Sequence, residues 1–366
     1  SALAERSVGL GESAARFVFG NNRLIASTAP AAQLVEEGLV VMTLEEAATA
    51  HAGLVRQHFM AQEAKLGSAK FAALHRSGPV NGVFIRVPED LEVALPIEIF
   101  HWVEGENSAV FPHTLVVCER RSKATVVDCF RSSDGAPAFA CGVNDLVVGD
   151  GARLDYVSVQ EWSLGTTAFH LNSTTVGRDA SCLGMQVNLG GKFVCNENYS
   201  RMVAEGARSD MLSVNIAAGD QMIDQRTFQD HAKPRATSDL LYHNALAGKG
   251  RTVFSGVIRV QPGAHQTDAY QKVRNIVLSD DAEANSMPGL EIEADDVRCT
   301  HGATTSQVDD SELFYLQARG IRPEAARKLL VMGFFNTVLE RLPEHELRVH
   351  VERLVGNRLS AALGQA

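Results

Sequence analysis

Two soft donors stand two residues apart in Arg298-Cys-Thr-His-Gly-Ala-Thr304. A thiolate and an imidazole both suit iron or zinc. At i and i+2 of an extended run, Cys299 and His301 project from the same face. Val297 and Ala303 share that face, while Asp296, Arg298 and Thr300 occupy the other. The donors therefore lie on the less polar side, toward a core or a subunit interface. Two donors do not complete a metal site, so further ligands must come from elsewhere in the chain or from another subunit. Spacing alone leaves a packed structural pair and a functional pair both open.

Other chemistry-bearing stretches are weaker. Asp224-Gln-Arg-Thr-Phe-Gln-Asp-His231 holds the residue types a β-helical carbohydrate-active enzyme would use. Glycoside hydrolysis, however, needs two carboxylates at a set separation, which spacing cannot establish. Leu246-Ala-Gly-Lys-Gly-Arg-Thr252 misses the phosphate-loop spacing, and Gly9-Leu-Gly11 neither continues to a dinucleotide fingerprint nor follows a strand. His101 and His113 flank an Asn/Gly/Pro-bearing loop and read as isolated polar contacts.

The elements that must position these residues fall into three blocks. Residues 1–79 read as a mostly helical N-terminal domain. Thr43 is a plausible N-cap for an Ala-rich amphipathic stretch through Leu54, Val55, Phe59, Leu66, Phe71 and Leu74, long enough for at least two helices. Ser77-Gly-Pro79 ends it. Residues 80–308 then turn to short alternating runs rich in β-formers, with helix signals nearly absent. Within them a small turn unit ending in Ala recurs at Ala124, Ala152, Ala180, Ala207, Ala236 and Ala264, at intervals of 28, 28, 27, 29 and 28 residues. A period of this size marks a stacked architecture in which each unit buries its apolar face on its neighbours. With no helix inside the repeat, a β-helix is the natural solution, and a large sandwich with regular turns is the alternative. After Ala264 the spacing shortens, as expected where a solenoid ends. Residues 309–366 return to helix. Asp309 and Asp310 precede an apolar face closed by Gly320, a second helix starts near Pro323, and a third runs from about Glu344.

The 366-residue chain is 45% hydrophobic and 21% charged, with a net charge of −10 that argues against nucleic acid as a partner. No apolar run reaches the roughly 20 residues needed to span a bilayer. The opening residues show neither a basic-then-apolar leader nor an initiator Met, so a natural start other than Ser1 is expected. The six cysteines form no C-x-x-C, and we read them as reduced thiols, mostly buried, in a cytoplasmic protein.

From about Phe71 onward the chain resembles the SufB/SufD scaffold proteins of the SUF iron–sulfur cluster assembly machinery. The resemblance is carried by Phe71-Ala-Ala-Leu-His75, Val253-Phe-Ser-Gly-Val-Ile-Arg-Val260, His265-Gln-Thr-Asp-Ala-Tyr-Gln271, Leu278-Ser-Asp-Asp-Ala-Glu-Ala284 and Leu290-Glu-Ile-Glu-Ala-Asp-Asp-Val297. It is densest from Cys299-Thr-His-Gly-Ala-Thr304 into Leu313-Phe-Tyr-Leu-Gln-Ala-Arg-Gly-Ile321. The Cys-x-His-Gly-Ala-Thr form is similar to the SufD branch, where SufB-type chains tend to carry Glu-His-Glu-Ala-Thr. The cysteine expected of SufB in the preceding strand is absent from Leu278 to Leu290. Thr304-Thr-Ser306 is closer to the SufB pattern.

The resemblance implies a mainly β protein, a right-handed parallel β-helix between helical caps, with no catalysis by the chain alone. It implies pairing with a SufB-like paralogue through the β-helix ends and docking of a SufC-like ABC ATPase on the C-terminal helices, roughly Pro323 to Leu359. It implies a transient iron–sulfur cluster at the heterodimer interface, with Cys299 and His301 at the implicated positions. A flavin in the assembled complex and a homodimer of the lone chain are further expectations; nucleic acid and membrane are not expected partners.

Overall fold

The computed structural model describes residues 2–364 apart from 8 and 134. The chain begins with α1 (Ala2–Arg6), the hairpin β1 (Ala15–Gly20) and β2 (Arg23–Thr28), α2 (Ala32–Glu36) and β3 (Val40–Thr43). Helices α3 (Leu44–Ala50), α4 (Ala52–His58) and α5 (Ala69–Ser77) follow. Thr43 caps α3 in a full capping box with Glu46, which satisfies two backbone donors at once.

The strands then alternate between two sheets: β4 (Asn81–Val87), β5 (Ile97–Val103), the short β6 (Ser108–Val110) and β7 (Pro112–Cys118). They continue with β8 (Lys123–Ser132), β9 (Ala138–Val148), β10 (Arg153–Glu161), β11 (Thr167–Val176), β12 (Ser181–Asn188) and β13 (Phe193–Met202). The last are β14 (Arg208–Gly219), β15 (Met222–His231), β16 (Thr237–Gly248), β17 (Arg251–Val260), β18 (Asp268–Val277), β19 (Glu283–Ile292) and β20 (Arg298–Gln307). One sheet runs β2-β1-β5-β8-β10-β12-β14-β16-β18-β20 and the other β19-β17-β15-β13-β11-β9-β7-β4-β3. Every step from β5 to β20 and from β4 to β19 is parallel. This is a β-helix of about eight turns.

The repeat has a physical cause at one corner. Arg121, Gly151, Asp179, Gly206, Arg235, Gln266 and Asp296 each adopt a left-handed backbone, with φ between 51° and 71°. The residue that follows, at Ser122, Ala152, Ala180, Ala207, Ala236 and Thr267, is small and at most 1% exposed. Each corner amide before Asp296 donates to the next coil, as in Gly151 N to Arg178 O at 2.7 Å and Gln266 N to Asp296 O at 2.7 Å. Four of the six repeat alanines sit at equivalent rungs. Ala124 lies two residues past its corner's small residue and Ala264 three residues before it, because Lys123 pairs with Arg153 and Thr237 with Asp268.

The first 79 residues depart from the expected helical domain. β1 adds in parallel to β5, and β3 adds antiparallel to β4, so this segment seals one end of both sheets as well as carrying helices. The signal was hidden because Arg16-Phe-Val-Phe19 and Val40-Val-Met42 are runs too short to show a period. At the other end α6 (Asp310–Ala318), α7 (Pro323–Leu339) and α8 (His345–Leu363) follow β20 directly. Val331, Phe335, Val338, Leu347, Val351 and Leu359 on α7 and α8 join one apolar core with Leu212, Val214 and Ile216 of β14.

Candidate functional site

Among the described residues β20 is the last rung of its sheet and β19 the last of the other, so both present an edge with no further strand paired to it. Register against β18 sets the face of each side chain. Cys299 stacks under Ala269, His301 under Gln271, Ala303 under Val273 and Thr305 under Asn275. The four residues above are buried, so this is the inward face of the coil, laid open at its last turn. Cys299 is half-buried against Ile258, Val260, Ala264 and Ala269. Burial first, and then the charge of Asp268, raises its thiol above the usual range. His301 is exposed.

Cys299 differs from the other thiols. Cys118, Cys129, Cys141, Cys182 and Cys195 are all free and buried. Desolvation pushes Cys118, Cys141 and Cys195 up to about 12, leaving them inert. Among the described residues no cluster of three or more His, Cys, Asp or Glu side chains could hold a metal. The pair presents a sulfur and a nitrogen on one face of the last rung. The same end carries apolar side chains in the open, with Met287 68% exposed and Ile292 44%.

The remaining sequence candidates resolve into structural contacts. Asp224 is held by Arg226 at 2.7 Å, and the same guanidinium lies 3.5 Å from Glu197. Asp230 accepts from Gln261 at 2.6 Å and pairs with Arg201 at 3.2 Å. His231 Nε2 meets Ser238 Oγ at 2.8 Å in the interior. Lys249 sits in the tight turn between β16 and β17, after Gly248 at φ 61°.

His101 and His113 are not isolated. His101 Nε2 lies 3.4 Å from Asp128 Oδ1, and Asp128 Oδ2 accepts from Thr114 at 2.6 Å and Tyr156 at 2.8 Å. His113 Nε2 lies 3.2 Å from Asp145, while its Nδ1 is 3.1 Å from His75 Nε2. His75 Nδ1 is in turn 2.8 Å from the Cys141 carbonyl. This chain fastens α5 to the outer face of β7 and β9. Sequence reasoning missed it because the partners lie 38 and 66 residues from His75 and belong to different coils.

The last coil and the side chains on it define a class, a parallel β-solenoid with a cysteine and a histidine on one face of its last rung. A family model for the SUF system FeS cluster assembly SufBD core domain matches residues 101–334, and the chain belongs to that family. It is 29% identical over 316 residues to the iron–sulfur cluster assembly protein SufD of Bacillus subtilis, covering 85% of this chain and 72% of that protein. It is 32% identical over 287 residues to an iron–sulfur cluster assembly SufBD family protein of Mycobacterium tuberculosis, covering 76% and 71%. A SufBD family protein of Synechocystis is 29% identical over 304 residues, covering 80% and 67%. No described helix is long and apolar enough to cross a membrane.

Proposed function

We propose that this chain is the SufD-like, non-enzymatic scaffold subunit of a cytoplasmic SUF complex. In this reading it lends Cys299 and His301 to a nascent iron–sulfur cluster at the interface with a SufB-like paralogue. The observation that carries the reading is the last β-rung, where an exposed imidazole and the single half-buried thiol share one face on an open sheet edge. The imidazole ligates iron, the thiol assists, and the partner supplies the remaining ligands. The apolar side chains exposed beside the edge support this end as the docking face.

The C-terminal helices are the ATPase-facing surface. α6 buries no residue and exposes Phe314 at 72% and Tyr315 at 57%, and α7 exposes Leu329 at 55%. α7 is tied to the solenoid by His243, whose Nδ1 meets Phe334 O at 2.8 Å, and the turn after it by Arg341, which lies 3.0 Å from Asp239. A SufC-like ATPase that moves α6 and α7 would pull on β20, which runs directly into α6, and so open the interface. In the assembled complex, His301→Ala is expected to abolish cluster formation, read by visible absorption after anaerobic reconstitution, while complex formation persists. Undiminished cluster yield would refute the assignment.

A further inference from the structure

The rung above the donor pair contains a polar side chain with nothing to bind. Gln271 is 1% exposed, yet both its Oε1 and its Nε2 lack a hydrogen-bond partner. A buried amide left unpaired is costly, so such a group calls for an explanation. The neighbouring column shows the ordinary solution. Asn244 donates to Asn275 at 2.7 Å, and Asn275 donates to Thr305 Oγ1 at 3.1 Å. In the column of Gln271 the two residues above are Leu240 and Met211, both buried and apolar, and the residue below is His301. Leu240 offers no polar side-chain partner, so the imidazole is the polar side chain next to Gln271 in its own column.

The opposite sheet makes room for this amide. A Cβ on Gly256 would overlap Gln271 Nε2, so the glycine leaves the space the amide fills. Thr227 Oγ1, also without a partner, borders the same space. A glycine in a strand interior often marks such a close approach.

We propose that Gln271 is a positioning residue for His301. A turn of its side chain lets Oε1, which has no partner in this structure, accept from an imidazole N–H of His301, which fixes the tautomer and leaves the other ring nitrogen's lone pair free for a metal. A metal-bound histidine commonly has its second nitrogen held in this way, and losing that partner typically lowers metal affinity or activity about tenfold or more. The inference rests on the reading of His301 as an iron ligand.

The test uses the full chain with nitrogen-15 in histidine and glutamine, the His301 signals being assigned from His301→Ala. One imidazole tautomer is expected to dominate, with a nuclear Overhauser contact between the Gln271 side-chain amide and the His301 ring. In Gln271→Leu the tautomer preference is expected to disappear, and in the assembled complex the cluster yield should fall about tenfold. An unchanged tautomer balance in the leucine variant would overturn the proposal. Absence of the Overhauser contact in the unmutated chain would also overturn it, and that measurement decides even if the variant does not fold. The two readings fail separately. A His301→Ala complex with normal cluster yield removes the role of the imidazole as ligand. A failed tautomer test with a cluster-deficient His301→Ala removes the role of Gln271 alone.

Discussion

The interior histidines set how this protein responds to acid. Burial lowers His75 and His101 to about 3, and His170, His231 and His243 to about 4. As pH falls below about 6.5 the unfolded chain takes up protons that these folded histidines refuse, so stability drops as pH falls toward 4. Asp128 acts in the opposite sense. Burial raises it to about 7, so between 3.8 and 7 the folded state holds the proton and acidification favours folding. Neutral His101 facing a protonated Asp128 also pairs two buried atoms, Nε2 and Oδ1, that otherwise lack a partner. The opposing shifts of that pair largely offset each other, leaving His75, His170, His231 and His243 to dominate. Unfolding free energies from urea titrations are therefore expected to fall between pH 7.5 and 5.5, by up to about 1.4 kcal/mol per pH unit for each fully neutral histidine. Asp128→Asn should steepen that loss, and a flat profile would contradict the account. Thiol labelling reads a second property of individual residues. One equivalent, Cys299, should react with a disulfide reagent in the native chain, and the other five only after unfolding. Rapid native labelling of Cys299→Ser would show that a second thiol is reachable.

At the scale of elements, the caps and corners bear the prediction. Asp309 accepts from Ser311 N at 2.7 Å and Glu312 N at 3.2 Å, capping α6. Asp309→Ala should cost about 1 kcal/mol of helix stability. On the proposed docking of an ATPase at α6, it should also weaken that binding, whereas Phe314→Ala should weaken binding with almost no change in the melting temperature. Gly206→Val should be worse, because the corner needs φ 71° and a Cβ there would overlap Asp179. A loss of about 2 kcal/mol or more is expected from the left-handed strain and the clash together. Elements of this kind were legible in the sequence wherever a local rule acts. Thr43, Asp309, Gly320, Pro323 and the corner alanines each declare a boundary through chemistry within a few residues. The β-additions of β1 and β3 were not legible, since their partners β5 and β4 lie far along the chain and nothing local marks pairing. The same limit applies to the site. Alternation put Cys299 and His301 on one face, but the bare Gln271 amide and the His75–His113–Asp145 chain exist only once the coils are stacked.

For the whole molecule, the two ends differ. At one end β1, β2 and β3 extend the two sheets, while among the described residues the other end stops at β19 and β20 with no further strand paired to them. Uncovered edges invite pairing with another chain. The isolated protein is expected to self-associate in sedimentation experiments, and Met287→Lys with Ile292→Lys should shift it toward monomer, as would saturation with a SufB-like partner. A monomer at all concentrations would exclude pairing between copies through this end. The asparagine column inside the solenoid gives this open end a polarity as well. Asn188 donates to Asn215 at 2.7 Å, Asn215 to Asn244 at 2.8 Å, Asn244 to Asn275 at 2.7 Å, and Asn275 to Thr305. Every amide dipole in the series points the same way, and chained hydrogen bonds reinforce one another in a low-dielectric interior. Like the head of a helix, the donor end of this series carries partial positive charge. It emerges at Thr305 on β20, so the fold itself biases that stretch of the open edge toward negatively charged groups on whatever docks there.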